Sequence, residues 1–385
     1  MNSPQQTVAK ADIPLVDLKA QYRRIKKDVH ARIDAVLEHG RFILGPEVQE
    51  LENELASFAG CAEALGVSSG TDALLLALMA ESIGPGDAVF LPAFTFTAST
   101  EVILMVGATP VFVDVDEGTF NIATDDLEKK IGETKSATEL TPRAIIAVDL
   151  FGLPADYRAL AEVAQREGLY VLADAAQSFG GSLDGTKVGM LAPVTATSFF
   201  PAKPLGCYGD GGALLTDDPQ RAEQFRSLRA HGKGNQKYDI VRIGLNARLD
   251  TLQAAIVLAK LQVFAEEITA REALAARYDA WLGKDLAIPA RPVGAKSAWA
   301  QYTIKLERRD EVAAAMRQQG IPSAIYYPLP MHLQPAYAGY GKGPGSLPVS
   351  EKLSLQVLSL PMHPYLDEAT AKRICEVVLE AVSSP

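Results

Sequence analysis

From residue 62 to residue 173 the chain alternates short apolar runs with segments of helical periodicity. The apolar runs cover residues 64–67, 88–91, 110–113, 144–148 and 170–173, and helical patterns lie between most of them. Runs without polar interruption are typical of strands buried on both faces, because intervening helices cover those faces. The alternation therefore predicts an α/β fold with a mostly parallel sheet and helices on both sides.

The segments on either side of this region differ in pattern. Apolar residues from Leu18 to Val36 recur at steps of three and four, Gly40 follows where a helix would end, and a shorter amphipathic helix spans 48–58. A helix at 219–229 and a long helical stretch at 248–281 precede a strand at 299–306, a helix at 310–319 and a last helix ending near Val382. With 385 residues, two domains are expected. We predict a large domain at 1–250 and a smaller α+β domain at 251–385, joined by a long bridging helix.

Composition and charge exclude several classes of protein. The chain is 48% hydrophobic and 22% charged, and no run reaches the roughly 18 apolar residues of a membrane span. A net charge of −10 argues against a general nucleic-acid binder, which needs a basic face. Cys61, Cys207 and Cys375 form no CxxC pair, so free thiols are expected instead of disulfides or a metal site. Residues 1–6 lack the features of a signal peptide, so we expect a cytoplasmic protein.

Ligands of α/β sheets collect beyond the carboxyl ends of the strands, and three segments at such positions carry polar side chains. The first, residues 68–72, contains Gly70 and Thr71 before a predicted helix and could bind a phosphate, although serine, threonine and aspartate are also ordinary helix caps. The second carries Asp174 and Gln177 after an apolar strand. A buried carboxylate requires a cationic or hydrogen-bonding partner, such as a protonated pyridine, or else it caps the next helix.

A third segment combines Ser198 with Lys203 in a loop rich in glycine and proline. A lone loop lysine is normally solvated, but a lysine amine also forms a Schiff base with the aldehyde of pyridoxal phosphate. That cofactor needs an acidic side chain at its ring nitrogen as well, which Asp174 would provide. Phe96 follows another predicted strand and could cover a flat ring, although core packing is the alternative.

Taken in order, these segments resemble the sugar aminotransferases of the DegT/DnrJ/EryC1/StrS family. The resemblance runs over nearly the whole chain, through PLVDL at 14–18, GP at 45–46, GTDAL at 70–74, DAAQ at 174–177, SFF at 198–200 and GLNARLD at 244–250. It implies the aspartate aminotransferase fold, that of fold type I pyridoxal-phosphate enzymes, with a mostly parallel seven-stranded sheet flanked by helices and a smaller α+β C-terminal domain.

The resemblance also implies a role for each site residue. Lys203 would be the Schiff-base lysine and proton carrier, Asp174 would pair with the ring nitrogen, Gln177 with the ring hydroxyl, and Phe96 would stack on the ring. The phosphate would be bound by Gly70, Thr71 and Ser198, with Asn246 from the other subunit of a homodimer. Related sugar dehydratases carry histidine at the lysine position, so Lys203 favours transamination through a pyridoxamine phosphate intermediate.

The substrates implied are L-glutamate and an oxo sugar linked to a nucleotide. The strings at 199–212 and 248–255 look most like members acting on UDP-linked 2-acetamido-3-oxo sugars, including the glucuronate form used in lipopolysaccharide and O-antigen biosynthesis. Candidate substrate contacts are Arg229, His231, Tyr327 and His332, and a uronate carboxylate could be met by Arg229, Arg242 or Arg248. A 4-oxo or 3-oxo-6-deoxy sugar, a dehydration reaction and a non-catalytic regulatory role are the alternatives.

Overall fold

The computed structural model describes residues 13–236 and 238–384. The N-terminal residues on which the expected cytoplasmic location partly depends lie outside this range. Within it, no helix combines the length and the apolarity that crossing a bilayer requires.

Helices account for much of the described chain. They are α1 (Leu18–His39), α2 (Pro46–Ala59), α3 (Gly70–Ala80), α4 (Ala98–Met105), α5 (Thr124–Ala137), α6 (Tyr157–Glu167), α7 (Pro219–Leu228), α8 (Thr251–Leu282), α9 (Arg309–Gln318), α10 (Pro348–Gln356) and α11 (Glu368–Ser383). The strands are β1 (Glu63–Val67), β2 (Asp87–Pro92), β3 (Thr109–Val113), β4 (Thr141–Val148), β5 (Tyr170–Asp174), β6 (Ser182–Leu183), β7 (Thr186–Lys187), β8 (Val194–Ser198), β9 (Gly212–Thr216), β10 (Ala295–Lys296), β11 (Tyr302–Lys305) and β12 (Val357–Leu360).

The main sheet has seven strands in the order β3-β2-β4-β5-β8-β9-β1. Only β9 runs antiparallel to its neighbours, β8 and β1, and the other pairings are parallel. The strands β1, β2, β4, β5 and β8 therefore end at one edge of the sheet. The predicted fold class is confirmed, and the residues that follow these strands meet at this edge.

The two halves of α8 pack into different hydrophobic clusters of the described chain. Ala254 and Phe264 in its first half pack with α2 and the main sheet, whereas Tyr278 and Leu282 in its second half pack with β11, β12, α9 and α11. The second cluster is the core of the smaller α+β unit. Residues from 331 to 353, in contrast, return to the core of the main sheet. The division of the chain at residue 250 stays a prediction.

The termini of the predicted helices follow local sequence signals. Helix α1 ends at Gly40, whose φ of 65° gives the left-handed C-cap that glycine favours, and Asp17 caps its start by accepting the Ala20 N–H at 2.8 Å. Helices α5 and α10 and strands β6 to β10 and β12 were not predicted. All three cysteines are buried free thiols.

Candidate active site

A cavity of about 440 Å³ opens at the carboxyl edge of the main sheet. Its volume falls in the range of small-molecule sites. Eight of the twelve site residues predicted from sequence line it, namely Gly70, Thr71, Phe96, Asp174, Gln177, Ser198, Lys203 and Tyr327. They come from the start of α3, the ends of β5 and β8 and three loops, so the fold brings distant segments of the chain into one site.

Asp174 ends β5 and is buried. Its Oδ2 accepts the Ser99 hydroxyl at 2.7 Å and its Oδ1 accepts the Ala176 N–H at 3.2 Å. Burial raises the pKa of this carboxyl, while those two hydrogen bonds and the charge of Lys203 oppose the shift. In the described residues no lysine or arginine forms an ion pair with it, and a turn instead of a helix follows it. The helix-capping alternative is therefore wrong, and the carboxylate has hydrogen-bond donors but no ion pair in the described residues.

Lys203 lies in the loop between β8 and β9, where its N–H donates to the carbonyl of Phe200 at 2.9 Å. Burial lowers the pKa of its ammonium group, and the charge of Asp174 opposes that shift. A buried amine of lowered pKa is more often in the uncharged form that attacks an aldehyde carbon. The alternative of a solvated surface lysine does not fit this placement.

The start of α3 forms another part of the cavity lining. Ser69 caps this helix by accepting the Asp72 N–H at 3.0 Å, and Gly70 and Thr71 are its first two residues. A Cβ on Gly70 would lie 2.7 Å from Cβ of Ser198, so only glycine permits this approach of helix and strand. A helix N-terminus beside hydroxyl groups is a favourable place for a phosphate.

Aromatic and amide side chains also line the cavity. Phe94 is fully buried in the core, whereas Phe96 is 53% exposed at the cavity and its ring centre lies 6.2 Å from that of Tyr327. The Gln177 Oε1 accepts the Phe151 N–H at 2.7 Å, and Gln177 and Tyr327 both line the cavity. Phe96 is therefore free to cover a planar ligand, and Gln177 is held in place.

Asn246 lines a second cavity that shares Ser69 and Asp210 with the first. Its Oδ1 accepts a hydrogen bond from Arg248, whose buried Nε has no hydrogen-bond partner in the described residues. The backbone of Arg248 bridges to Val67 at the end of β1. Asn246 and Arg248 therefore lie beside the main cavity of their own chain without lining it.

The other three predicted substrate contacts do not line the main cavity. Arg229 is buried, forms an ion pair with Glu52 and donates to the carbonyl of Gly66 at 2.7 Å. His332 is buried, and its Nε2 lies 3.1 Å from Glu351 in a separate cleft. His231 is exposed outside the cavity lining. These positions argue against direct substrate contacts within one chain, because Arg229 and His332 already have carboxylate partners.

Two residues that support the site were not predicted. Ser99 is buried at the start of α4 and donates to Asp174. Asp149 accepts hydrogen bonds from the Tyr157 hydroxyl at 2.8 Å and from the Ser178 hydroxyl at 2.5 Å, and burial raises its pKa to about 7. Asp149 thereby fixes the turn that carries Gln177. The same strand-end rule that selected Asp174 points to Asp149, which directly follows β4, whereas a serine offers no comparable signal.

The residues of the cavity fit pyridoxal 5'-phosphate. The start of α3 with Ser198 can hold a phosphate, Phe96 can cover a ring, and the unpaired buried carboxylate of Asp174 calls for a protonated ring nitrogen. Lys203 supplies an amine in the same cavity. The arrangement can therefore hold an aldehyde cofactor covalently and move protons beside it.

Comparison with known proteins places these residues in context. The sequence profile of the DegT/DnrJ/EryC1/StrS aminotransferase family matches residues 23–379. The chain is 46% identical to UDP-2-acetamido-2-deoxy-3-oxo-D-glucuronate aminotransferase of Pseudomonas aeruginosa, with 94% of this chain and 98% of the relative covered. It is 42% identical to UDP-N-acetyl-3-dehydro-alpha-D-glucosamine 3-aminotransferase of Acidithiobacillus ferrooxidans, over 95% of this chain and 97% of the relative. The crystal structure of DesV from S. venezuelae in complex with a ketimine intermediate superposes with a TM-score of 0.92, at 40% identity, over 98% of this chain and 100% of that chain.

Proposed function

This chain belongs to the DegT/DnrJ/EryC1/StrS aminotransferase family of pyridoxal-phosphate enzymes, and we propose that it transfers an amino group from L-glutamate to a UDP-linked 2-acetamido-3-oxo sugar. The glucuronate form is the substrate we favour, because the relative named for it is 46% identical along almost the whole chain. The observation that carries the proposal is one cavity holding the Lys203 amine and the Asp174 carboxylate. Lys203 favours amine transfer over dehydration, because related sugar dehydratases carry histidine at this position.

Each cavity residue has a defined task in this reaction. When bound, pyridoxal phosphate supplies an aldehyde and a ring that withdraws electrons from the reacting carbon. Lys203 would bind the aldehyde carbon through its amine and would carry a proton to and from the reacting carbon atoms. Asp174 keeps the ring nitrogen protonated, and its own charge is stabilised by Ser99 and Ala176.

The remaining residues bind and orient. Of the residues that line the cavity, Gly70, Thr71 and Ser198 would hold the phosphate, Gln177 would meet the ring hydroxyl, and Phe96 would cover the face of the ring. Tyr327 lies against Phe96 and Gln177 and is the residue of the predicted substrate set that lines the cavity. We propose that it contacts the sugar.

We infer that two copies of the chain share each site. Large apolar side chains are exposed beside both cavities, among them Phe200 at 52% on the first and Ile43 at 49% on the second. Such exposure is typical of surfaces that a partner covers. Asn246 would then reach the phosphate of the partner subunit. A cytoplasmic role in making the sugars of bacterial surface polysaccharides would fit this substrate.

Of the three arginines considered for a uronate carboxylate, the contacts favour Arg248. Arg229 is neutralised by Glu52, and Arg242 is exposed and donates to the Ser227 hydroxyl at 3.3 Å. Arg248 lines the cavity beside the active site, and its Nε lacks a partner in the described residues. A guanidinium with free donors binds a carboxylate through two hydrogen bonds.

Replacing Arg248 by methionine is expected to remove the preference for the uronate. The reaction is best followed in reverse, with stable UDP-2-acetamido-3-amino sugars and 2-oxoglutarate, because glutamate formation is easily measured. We expect wild-type kcat/KM to favour the glucuronate over the neutral glucose counterpart, and the ratio to fall by about 10- to 100-fold in Arg248→Met, as for a lost hydrogen bond to a charged group. The matched control, Arg242→Met, should leave the ratio within about threefold. An equal loss with both sugars would show that Arg248 does not recognise the carboxylate.

A further inference from the structure

Gln301 lines the same cavity as Lys203 and has no part in the roles given above. It directly precedes β11, in the smaller α+β unit. Its Oε1 is buried and receives no hydrogen bond from any described residue. The other cavity-lining amide differs, because Oε1 of Gln177 is satisfied by the Phe151 N–H. A buried acceptor left unpaired costs about 1–3 kcal/mol, so Gln301 calls for a donor that the described residues do not provide.

Backbone hydrogen bonds connect Gln301 to the reacting side of the cavity. The Gln301 N–H donates to the carbonyl of Phe151 at 3.3 Å, and the Phe151 N–H donates to Gln177 at 2.7 Å. Gln177, Gln301 and Tyr327 all line the cavity. The unpaired acceptor therefore lines the cavity together with Gln177 and Tyr327. In sequence, Gln301 is distant from the start of α3, which is the proposed phosphate site.

We propose that Gln301 selects the sugar by accepting a hydrogen bond from a donor on a carbon next to the ketone. This inference rests on the proposed function, in which the ketone carbon must reach Lys203. The groups on the two neighbouring carbons then face the cavity wall. In a 2-acetamido-3-oxo sugar they are the acetamido N–H on carbon 2 and the hydroxyl on carbon 4. Oε1 would accept a hydrogen bond from one of these two donors. A sugar that lacks that donor would leave Oε1 unpaired.

Unpaired acceptors of this kind discriminate strongly between substrates. A site built around a substrate donor rejects an analogue without that donor, because the acceptor stays buried and unsatisfied. Methionine has nearly the length of glutamine and cannot accept such a bond well, so Gln301→Met removes the acceptor with little change in volume. Gln301→Glu retains an acceptor at the same position.

The test is a calorimetric comparison of ligand affinities on the cofactor-loaded enzyme. UDP-N-acetylglucosamine is compared with UDP-2-deoxyglucose in one arm and with UDP-4-deoxy-N-acetylglucosamine in the other. In the arm that removes the donor of Gln301, we expect wild type to prefer the complete sugar by about 10- to 100-fold. Gln301→Met should reduce that preference to within threefold, and the arm that responds identifies the donor. Gln301→Glu and the surface control Gln49→Met should keep it.

Each other outcome has a defined meaning. If the wild-type enzyme binds the complete sugar no better than either deoxy sugar, or if Gln301→Met keeps the wild-type preference, Gln301 does not select the sugar, and the proposed function stands. If wild type binds no UDP sugar, the proposed function fails together with this inference. Retained cofactor absorbance and an unfolding midpoint close to that of wild type show that the variants are folded, and the response of Gln301→Glu separates loss of the acceptor from loss of packing.

Discussion

Replacing Lys203 by alanine is expected to lower kcat/KM for amino transfer by at least about 10³-fold. Lys203 is the amine of the cavity that also contains Asp174, and burial lowers the pKa of its ammonium group. Removing it takes away both the covalent attachment of the cofactor and the proton carrier, and each type of catalysis is worth orders of magnitude. Release of 2-oxoglutarate from glutamate measures the loss.

Two further variants separate chemistry from charge. Lys203→Arg retains a positive charge but has no amine that deprotonates readily, so it should be as inactive as Lys203→Ala. Lys342→Ala removes a 72% exposed lysine that pairs with Glu133, and it should retain wild-type activity. Full activity in Lys203→Ala would contradict the role given to this residue.

Replacing Asp174 by asparagine is expected to lower kcat/KM by about 10²- to 10³-fold, as for other charges that stabilise a transition state. Asparagine has nearly the same shape: its Oδ1 can accept the Ala176 N–H and its Nδ2 can donate to the Ser99 hydroxyl, but it is neutral. A neutral partner cannot keep the ring nitrogen protonated. The rate of the glutamate half-reaction, measured at saturating cofactor, reports this loss separately from weaker cofactor binding.

Asp174→Glu provides the conservative comparison. It restores the negative charge with a longer side chain, so it should recover part of the activity that Asp174→Asn loses. An Asp174→Asn enzyme within threefold of wild type would show that the charge of Asp174 does not act on the ring.

The sequence predicted β1 to β5, because burial on both faces leaves each of them an apolar run, but it did not predict β9, whose apolar residues Ala213 to Leu215 form only a short run. It did not reveal β8, whose Thr195 and Thr197 are buried yet polar. Helix α5 was not predicted because Leu127 and Ile131 are the only large apolar residues in its buried face, which leaves a weak helical pattern. Elements with so little apolar surface are stabilised by their neighbours in space, which local patterns do not show.

The site residues that were predicted well are those that follow directly from the end of a strand. Asp174 and Ser198 end adjacent strands of one parallel set, so their proximity follows from the sheet. The substrate contacts proposed for Arg229 and His332 were less secure, because their carboxylate partners are distant in sequence. Arg229 hydrogen bonds to Glu52, 177 residues away in sequence, and His332 hydrogen bonds to Glu351, 19 residues away. Only the folded chain brings these charges together.

The most direct test of the central claim is transfer of nitrogen from ¹⁵N-labelled L-glutamate to the sugar. The purified enzyme is incubated with labelled glutamate and UDP-2-acetamido-3-oxo-glucuronate, and the products are analysed by mass spectrometry. We expect one 2-oxoglutarate for each sugar that gains a ¹⁵N amine on carbon 3. A sugar that loses a hydroxyl without gaining nitrogen, or no turnover with any 3-oxo nucleotide sugar, would contradict the assignment.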